Sequence, residues 1–357
     1  MKILADASLP GLLEAFPQPF ELTLYHEAKD IPQQLKNQQI LLCRSTLKVT
    51  EELLKNSSLS YVATASSGTD HIDENYLQNH RIGLIDAKGS NASAVADYVM
   101  ATLAFLECHK GFKGTKAAVI GVGEVGTKVA QRLRATGMEV LCYDPPKSKR
   151  DKDFITCSFE AITECDLISV HANLHNLLPT PSLNLINDGV LKQLKPQSVI
   201  INASRGGIVN EEDLLRQKKP FFYCTDVFSN EPAIRQGIVD FATLCTPHIA
   251  GHSIEAKSDA ITMISQKLHL AYKLPFVKPS LPVLAKLPSY YPHHTWQDYV
   301  LSLYNPLVET EILKNTHDLK LAFLNLRKAH QNRHDFQLYA KAVQTNKQLL
   351  QILGVNA

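Results

Sequence analysis

The sequence predicts an α/β fold with two doubly wound parallel-sheet lobes and a small C-terminal α+β domain. Short apolar strands alternate with helical stretches twice along the chain, a pattern typical of parallel sheets. A glycine-rich turn opens the second block, and a proline-rich stretch leads into residues 281–357. The chain has 357 residues, more than one hydrophobic core usually serves, so several domains are expected.

The first block predicts a flavodoxin-like lobe. Its strand candidates are Lys2–Ala5, Glu21–Tyr25, Gln39–Cys43, Leu59–Ala63 and Arg81–Ile85. A long helix is predicted next, over residues 91–109, because its apolar residues recur every three or four positions.

The second block predicts a Rossmann lobe. Its strand candidates are Lys116–Ile120, Glu139–Asp144, Asp166–His171, Ser198–Asn202, Phe221–Asp226 and Thr243–Thr246. The continuously apolar run of residues 199–201 is typical of a strand buried on both faces. Another long helix is predicted over residues 254–270.

Composition argues against several classes of function. The formal net charge of +2 is too small to favour nucleic acid or an anionic membrane as a partner. No stretch approaches the roughly 18 apolar residues of a membrane span, and the apolar run at the N-terminus ends at Asp6, too early for a signal peptide. The seven cysteines include no CxxC pair, so we expect no metal site and reduced thiols in a cytoplasmic protein.

The run Gly121-Val122-Gly123-Glu124-Val125-Gly126 has the context of a dinucleotide site. It follows an apolar strand and opens a helix, whose N-terminus offers N–H groups to a pyrophosphate. Asp144 lies 18 residues past Gly126, where a carboxylate binds ribose hydroxyls and repels a 2′-phosphate, so NAD is favoured over NADP. The cationic residues Lys147, Lys149 and Arg150 leave NADP open, and a purely structural glycine turn is the alternative.

Three later segments end predicted strands and carry polar side chains suited to hydride transfer. They contain Arg205 in ASRGG, Glu231 in DVFSNEP and His248 in TPHIAG. An arginine can hold a substrate carboxylate in a bidentate contact, a histidine can exchange the hydroxyl proton, and a carboxylate beside it would raise its pKa. Taken singly, each could instead be a surface ion-pair partner, a loop charge or a core histidine.

The motifs GVGEVG, ASRGGIVNEEDL, DVFSNEP and TPHIAG together resemble the D-isomer-specific 2-hydroxyacid dehydrogenases over residues 1–270. The segments CRSTLKV, ATASSGTDHID and KGSNASAVADYV, with FLNLRKAHQNRHDF in the tail, are similar to members that carry an extra C-terminal domain. The resemblance implies a substrate-binding lobe of residues 1–92 and 253–280, an NAD-binding lobe of residues 93–252 and a dimerisation domain of residues 281–357.

The same resemblance implies site residues. Arg205 and Glu231 would be active-site residues and His248 the proton donor and acceptor. Ser45, Ser66 and His252 would contact substrate. The NAD site would be formed by Gly121, Gly123, Glu124, Val125, Gly126, Asp144, Ala203, Ser204, Arg205, Asp226 and Gly251.

Three positions depart from the family pattern. Ser66 replaces a threonine and keeps the hydroxyl, and Ala172 replaces a threonine expected near the cofactor. His252 replaces a tyrosine expected to bind substrate, so the substrate contact there would differ in geometry.

The implied substrate is a small phosphorylated 2-hydroxy acid, bound by a homodimer assembled through the C-terminal domain. Charges and hydroxyls suited to a phosphate lie in or beside strand-end loops of the first lobe, at Arg44, Ser45, Lys48, Ser66 and Lys88. Phosphoglycerate, glycerate or another 2-hydroxy acid are alternative substrates. A protein that senses NAD without turnover is the alternative from another class.

Overall fold

The structure is a computed structural model that describes residues 1–279, 295–330, 332–343 and 346–355. The chain divides into two units. The first unit holds the described residues of Met1–Asn91 and Ser253–Leu284, and the second holds those of Ala92–His252 and Ala285–Ala357. The three-domain division stays a prediction, and most of the predicted proline-rich linker lies outside the described residues.

Strands and helices alternate along both units. The strands are β1 (Lys2–Asp6), β2 (Glu21–Tyr25), β3 (Ile40–Cys43), β4 (Tyr61–Thr64), β5 (Gly83–Asp86), β6 (Lys116–Ile120), β7 (Glu139–Tyr143), β8 (Leu167–Val170), β9 (Val199–Asn202), β10 (Phe222–Thr225) and β11 (Leu244–Cys245). The helices of the lobes are α1 (Leu12–Ala15), α2 (Ile31–Gln34), α3 (Glu51–Leu54), α4 (Glu74–Asn79), α5 (Ala92–Lys110), α6 (Glu124–Ala135), α7 (Pro145–Arg150), α8 (Phe159–Thr163), α9 (Asp188–Gln193), α10 (Glu211–Arg216), α11 (Gln236–Phe241) and α12 (Ile254–Ala271). Those of the tail are α13 (Trp296–Leu303), α14 (Leu307–Lys314), α15 (Leu319–Ala329) and α16 (Lys347–Ile352), while Ala28–Asp30 and Phe336–Val343 are 3₁₀ helices.

The first unit is built on a parallel sheet in the order β2-β1-β3-β4-β5. Successive side chains of a strand point to opposite faces. Leu41 therefore packs in one core cluster, while its neighbours Ile40 and Leu42 pack in another together with Ile261 and Ile264 of α12. Burial on both faces explains the apolar runs of β1, β3 and β4. The strand order confirms the predicted flavodoxin-like lobe.

The second unit contains a parallel sheet in the order β11-β10-β9-β8-β6-β7. The chain runs outward from β6 to β7 on one side and from β8 to β11 on the other, which creates a switch point between β6 and β8. The doubly wound lobe is confirmed. The common dinucleotide-binding order 3-2-1-4-5-6 places one more strand beyond β7. At that edge the N–H of Cys157 donates to the carbonyl of Cys142 at 2.8 Å, but the segment around Cys157 does not form a strand.

The C-terminal tail differs from the α+β expectation. In its described residues the tail forms helices and no strand. Its apolar residues pack into the second unit: Tyr299 and Phe336 join the core cluster that contains Leu103 of α5, and Phe323 joins the cluster on the other side. These short helices are stabilised by burial against a larger surface, because a tail of this size buries little apolar area by itself.

A buried ion pair ties the tail to the helices of the second unit. Asp97 of α5 is fully buried and pairs with Arg132 of α6, which is almost as inaccessible. The second carboxylate oxygen of Asp97 accepts a 2.9 Å hydrogen bond from the N–H of Phe336 in the tail. A buried carboxylate requires such partners, so α5, α6 and the tail are held in one arrangement.

Among the helices that the structure describes, none combines the length and the apolar character needed to cross a bilayer.

His171, directly after β8, makes stability depend on pH. Its Nε2 makes a 2.8 Å hydrogen bond with the Ser169 hydroxyl, and burial lowers the pKa of His171 to about 3. Below about pH 6.5 an unfolded chain would protonate this ring while the folded protein keeps it neutral. The stability that it contributes is therefore complete above pH 6.5 and is lost as the pH falls towards 3.

We predict that His171→Gln, which keeps a hydrogen-bonding group near Nε2 but cannot titrate, makes stability less sensitive to acid. Between pH 7 and pH 5 the variant should lose about 1–2 kcal/mol less stability than the unmodified protein. Urea unfolding at both pH values measures this, with the exposed His26→Gln as control. An unchanged pH dependence of stability in His171→Gln would contradict the conclusion that the His171 ring stays neutral in the folded protein.

Candidate functional site

The glycine-rich turn between β6 and α6 has the geometry of a phosphate cradle. Gly121 has φ +81°, a left-handed conformation that favours glycine. A Cβ on Gly126 would lie 2.0 Å from the carbonyl oxygen of Gly121, whereas a Cβ on Gly123 would meet nothing within 4 Å. The first glycine thus makes the turn, the third permits close packing, and the second faces open space where a ligand can approach.

Asp144 closes this site at the end of β7. One carboxylate oxygen accepts from the N–H of Val122 at 2.8 Å, and the other caps α7 by accepting from the N–H of Lys147 at 2.9 Å. These bonds hold the carboxylate beside the glycine turn. The cavity there has a volume of about 580 Å³, and its lining residues are Val122, Gly123, Glu124, Thr127, Lys128, Gln131, Asp144, Lys147, Arg150 and Asp151.

The residues present fit a dinucleotide. The N-terminus of α6 has no side-chain cap, so its first N–H groups and the helix dipole can serve a pyrophosphate, which the open space at Gly123 admits. The carboxylate of Asp144, which lies beside the turn, could accept hydrogen bonds from ribose hydroxyls. The cavity also holds three cationic side chains. Lys147 and Arg150 are two of the cations that the sequence places just after Asp144, and Lys128 of α6 is a third that the sequence did not indicate.

The structure brings Glu231 and His248 together. Nδ1 of His248 lies 2.6 Å from Oε2 of Glu231, and the other carboxylate oxygen of Glu231 accepts from the N–H of Phe228 at 2.8 Å. Both side chains are largely buried, with 31% and 20% exposed respectively. The carboxylate thereby orients the ring and leaves Nε2 as the nitrogen that can exchange a proton with a ligand.

Asp226 holds the loop that carries His248. One of its oxygens accepts from the Thr246 hydroxyl at 2.6 Å and from the N–H of Ile249 at 2.8 Å. The other oxygen accepts from the N–H of Ala250 at 2.8 Å. Burial raises the pKa of Asp226 above its usual range, although these donors favour the charged form. Because Asp226 anchors residues on both sides of His248, that residue can keep its left-handed backbone, φ +57°.

Arg205 lies in a second loop at the same sheet edge, and Asn202 holds this loop by hydrogen bonds. Asn202, at the end of β9, accepts from the Ser204 hydroxyl at 3.0 Å and donates to the carbonyl of Arg205 at 3.0 Å. A Cβ on Gly206 would lie 2.0 Å from the carbonyl oxygen of Phe228. The loops after β9 and β10 are therefore in contact, and Arg205 and Glu231 belong to neighbouring loops of one sheet edge.

The first unit carries its own polar edge. Ser45 and Ser66 follow β3 and β4, which are paired in parallel, so both lie at one end of the sheet. Beside them Nε of Arg44 donates to Asp6 at 2.8 Å. Burial acts to raise the pKa of Asp6, but hydrogen bonds from Ser8 and Arg44 outweigh it and the pKa is lowered. Asp6 stays ionised and orients Arg44, while Lys48 and Lys88 are exposed.

Contacts from the tail to the loop around His248 were not foreseen from the sequence. Arg333 is buried, with 7% of its surface exposed, and donates to the carbonyl of Ala250. The ring of His252 lies 6.4 Å from that of His330, and Nδ1 of His330 lies 3.2 Å from Oε1 of Glu309. In the sequence, only the similarity of residues 323–336 to family members with an extra C-terminal domain points to this part of the tail, and it predicts no role for individual residues.

Comparison with known proteins gives a consistent result. Residues 94–250 match the sequence model described as D-isomer specific 2-hydroxyacid dehydrogenase, NAD binding domain. The erythronate-4-phosphate dehydrogenase of Legionella pneumophila subsp. pneumophila, strain Philadelphia 1, is 54% identical over 339 residues, which cover 95% of this chain and 96% of that protein. The enzyme of the same name from Coxiella burnetii, strain RSA 493, is 39% identical over 268 residues, or 74% of this chain and 72% of that protein.

Solved structures support the fold. The NAD-dependent formate dehydrogenase of Staphylococcus aureus, in complex with NAD, aligns with a TM-score of 0.61 and 22% identity, covering 80% of this chain and all of that one. The 3-phosphoglycerate dehydrogenase of Entamoeba histolytica, with NAD+ bound, aligns with a TM-score of 0.63 and 23% identity, covering 80% of this chain and 99% of that one.

The position of Asp144 predicts that the protein prefers NAD to NADP. Asp144→Ala removes the negative charge that repels a 2′-phosphate and leaves Lys147 and Arg150 in the cavity. We expect weaker NAD binding and a ratio of NAD to NADP efficiency that falls on the order of tenfold or more. Initial rates with each cofactor measure the ratio, and Asp153→Ala, at an exposed carboxylate that does not line this cavity, is the control. A wild-type preference for NADP would refute this assignment.

Proposed function

Because the chain belongs to the erythronate-4-phosphate dehydrogenases, within the D-isomer-specific 2-hydroxyacid dehydrogenase family, we propose that it oxidises 4-phospho-D-erythronate. The product is (R)-3-hydroxy-2-oxo-4-phosphooxybutanoate, on the route to pyridoxal 5′-phosphate. The reaction type is supported by the 2.6 Å contact between His248 and Glu231 in the unit that also holds the dinucleotide turn, and the choice of substrate by the 54% identity to the Legionella pneumophila enzyme. A protein that only sensed NAD would have no use for an acid–base pair.

Oxidation requires removal of a proton and a hydride from one carbon. Nε2 of neutral His248 accepts the proton of the C2 hydroxyl, and the ring becomes an imidazolium. The glycine turn and Asp144 would hold NAD, which would supply the acceptor for the hydride that leaves C2. The charge of Glu231 stabilises the imidazolium, and the hydrogen bond to its Oε1 from Phe228 keeps the carboxylate in place. In the reverse direction His248 returns the proton to the carbonyl oxygen.

Arg205 supports the same step by binding. Its planar guanidinium can hold the substrate carboxylate through two hydrogen bonds and places positive charge near the C2 oxygen, where negative charge develops as the proton leaves. The contact between its loop and the loop of Glu231 fixes the two groups relative to each other. In this role Arg205 fixes which carbon is presented to the base.

The phosphate end of the substrate calls for hydroxyls and cations. Ser45 and Ser66 share an edge of the first sheet, and Arg44 lies beside them, held by Asp6. We propose that this edge binds the terminal phosphate, which carries nearly two negative charges at neutral pH. His252 of the second unit is proposed as a further substrate contact, with an imidazole in place of the family's phenol.

Substitution of the acid–base pair tests the mechanism. We predict that His248→Gln lowers kcat/KM by on the order of 10²–10⁴, the usual range for a positioned acid–base group. Glu231→Gln should lower kcat about tenfold or more, because a neutral partner stabilises the imidazolium less well. Initial rates measure both effects, and Glu212→Gln, which removes an exposed carboxylate paired with Arg235, should retain full activity. Unchanged kcat in Glu231→Gln would remove Glu231 from the pair.

Substrate choice tests the proposed activity itself. 4-Phospho-D-erythronate should be oxidised with a kcat/KM on the order of 10²-fold above that of D-erythronate, because binding of a remote phosphate also positions the reacting carbon. Arg44→Ala should narrow this difference by impairing the phosphorylated acid selectively, whereas Lys36→Ala, an exposed charge of the same unit, should not. Absorbance of NADH reports each rate. Equal rates on both acids, or a preference for 3-phosphoglycerate or glycerate, would assign the chain a different substrate.

The proposed homodimer involves the tail. Helices α14 and α15 pack on each other and expose large apolar residues: Val308, Ile312, Leu321 and Leu324, which are 58%, 45%, 54% and 47% accessible. Clustered exposed apolar side chains are typical of an interaction surface, and we propose that a second copy of the chain covers them.

We predict a dimer in solution that Ile312→Glu combined with Leu324→Glu converts to a monomer, because charges cannot be buried in an apolar interface. Light scattering measures the mass. Leu178→Glu, at an exposed leucine outside the tail, is the matched control and should remain dimeric. A monomeric unmodified protein would contradict the prediction.

A further inference from the structure

Arg333 reaches from the tail to the backbone of the loop that carries His248. Its guanidinium donates to the carbonyl oxygen of Ala250 and, at 3.2 Å, to the carbonyl oxygen of Ala94 in the first turn of α5. The carbon of the guanidinium lies 4.8 Å from the centre of the Tyr304 ring, a cation–π distance. One buried side chain of the tail thus links α5 to the loop after β11.

Ala250 is held from both sides of its backbone. Its N–H donates to the buried carboxylate of Asp226 at 2.8 Å, and its carbonyl accepts from Arg333. Ala250 lies two residues after His248, whose backbone is in the left-handed region. A loop in this conformation needs external constraints. Asp226 binds the N–H groups of Ile249 and Ala250, and Arg333 binds the carbonyl oxygen of Ala250.

The position of Arg333 is itself determined by the packing of the tail. The N–H of Phe336, three residues further along, is bound by Asp97, and Asp97 is paired with Arg132. The negative charge of Asp97 also acts on Arg333. A buried guanidinium is costly without such compensation, so its placement here reflects a specific contact and not an incidental surface charge.

We infer that Arg333 is a positioning residue for His248: through Ala250 it holds the loop so that the imidazole stays aligned with its substrate. This inference rests on the proposed role of His248 as proton acceptor. Arg333 need not touch substrate or cofactor, because misplacement of a catalytic group by about 1 Å can lower a rate on the order of 10²-fold. The tail would then serve the chemistry as well as the dimer.

The first measurement compares steady-state constants. Arg333→Met removes the donors but keeps an apolar stem, and we expect kcat to fall about 10–100-fold while KM for the hydroxy acid changes less than about threefold. Arg333→Lys keeps one charged donor and should recover part of kcat. Arg327→Met, at the end of α15, is the matched control and should retain full kcat. Thermal unfolding and NAD-dependent fluorescence establish that each variant is folded and binds cofactor.

A double-mutant cycle separates positioning from a general structural effect. In a His248→Gln background the Arg333→Met change should lower kcat less than about threefold, because the group that it positions is already absent. The same 10–100-fold loss in both backgrounds would overturn the inference, as would wild-type kcat in folded Arg333→Met. Unaltered kcat in His248→Gln alone would instead overturn the proposed role of His248. The two failures are therefore distinguishable.

Discussion

The buried carboxylate of Asp226 is the interaction on which the rest of the candidate site depends. It binds the Thr246 hydroxyl and the N–H groups of Ile249 and Ala250, the residues that flank His248. Without these bonds a histidine at φ +57° would relax to a more common backbone conformation. The contact between His248 and Glu231 follows from this constraint, because the loop brings the ring to a carboxylate that Phe228 already holds.

Parallel topology explains why residues distant in sequence meet. Strands β9, β10 and β11 are neighbours in one sheet and run in the same direction, so the loops that follow them lie at one edge. Arg205, Glu231 and His248 come from these three loops. The glycine turn after β6 lies at the switch point of the same sheet. A single architectural rule therefore places both the proposed cofactor site and the acid–base pair.

The tail is where sequence reasoning was least accurate. An α+β domain was expected, but the described residues form short helices and a 3₁₀ segment that bury Tyr299, Phe323 and Phe336 in the second unit. Local patterns could not reveal this, because the apolar face of a short helix does not indicate which surface covers it. The strands, by contrast, are predicted to within a few residues. Central strands such as β3, β8 and β9 are fully buried and have almost continuously apolar sequences.

By itself the sequence determined the two sheets and the dinucleotide turn, since each depends on a local motif, an apolar run or the spacing of glycines. It also indicated Arg205, Glu231 and His248 as candidates, because each is a polar residue that follows a predicted strand. Only the tertiary structure decided how these residues are held. The resemblance implies only a cofactor contact for Asp226 and no role for Arg333, yet both side chains bind the backbone of Ala250. Such contacts join residues 24 and 83 positions apart, and hydrogen bonds over those separations depend on the packing of the whole unit, which no local pattern encodes.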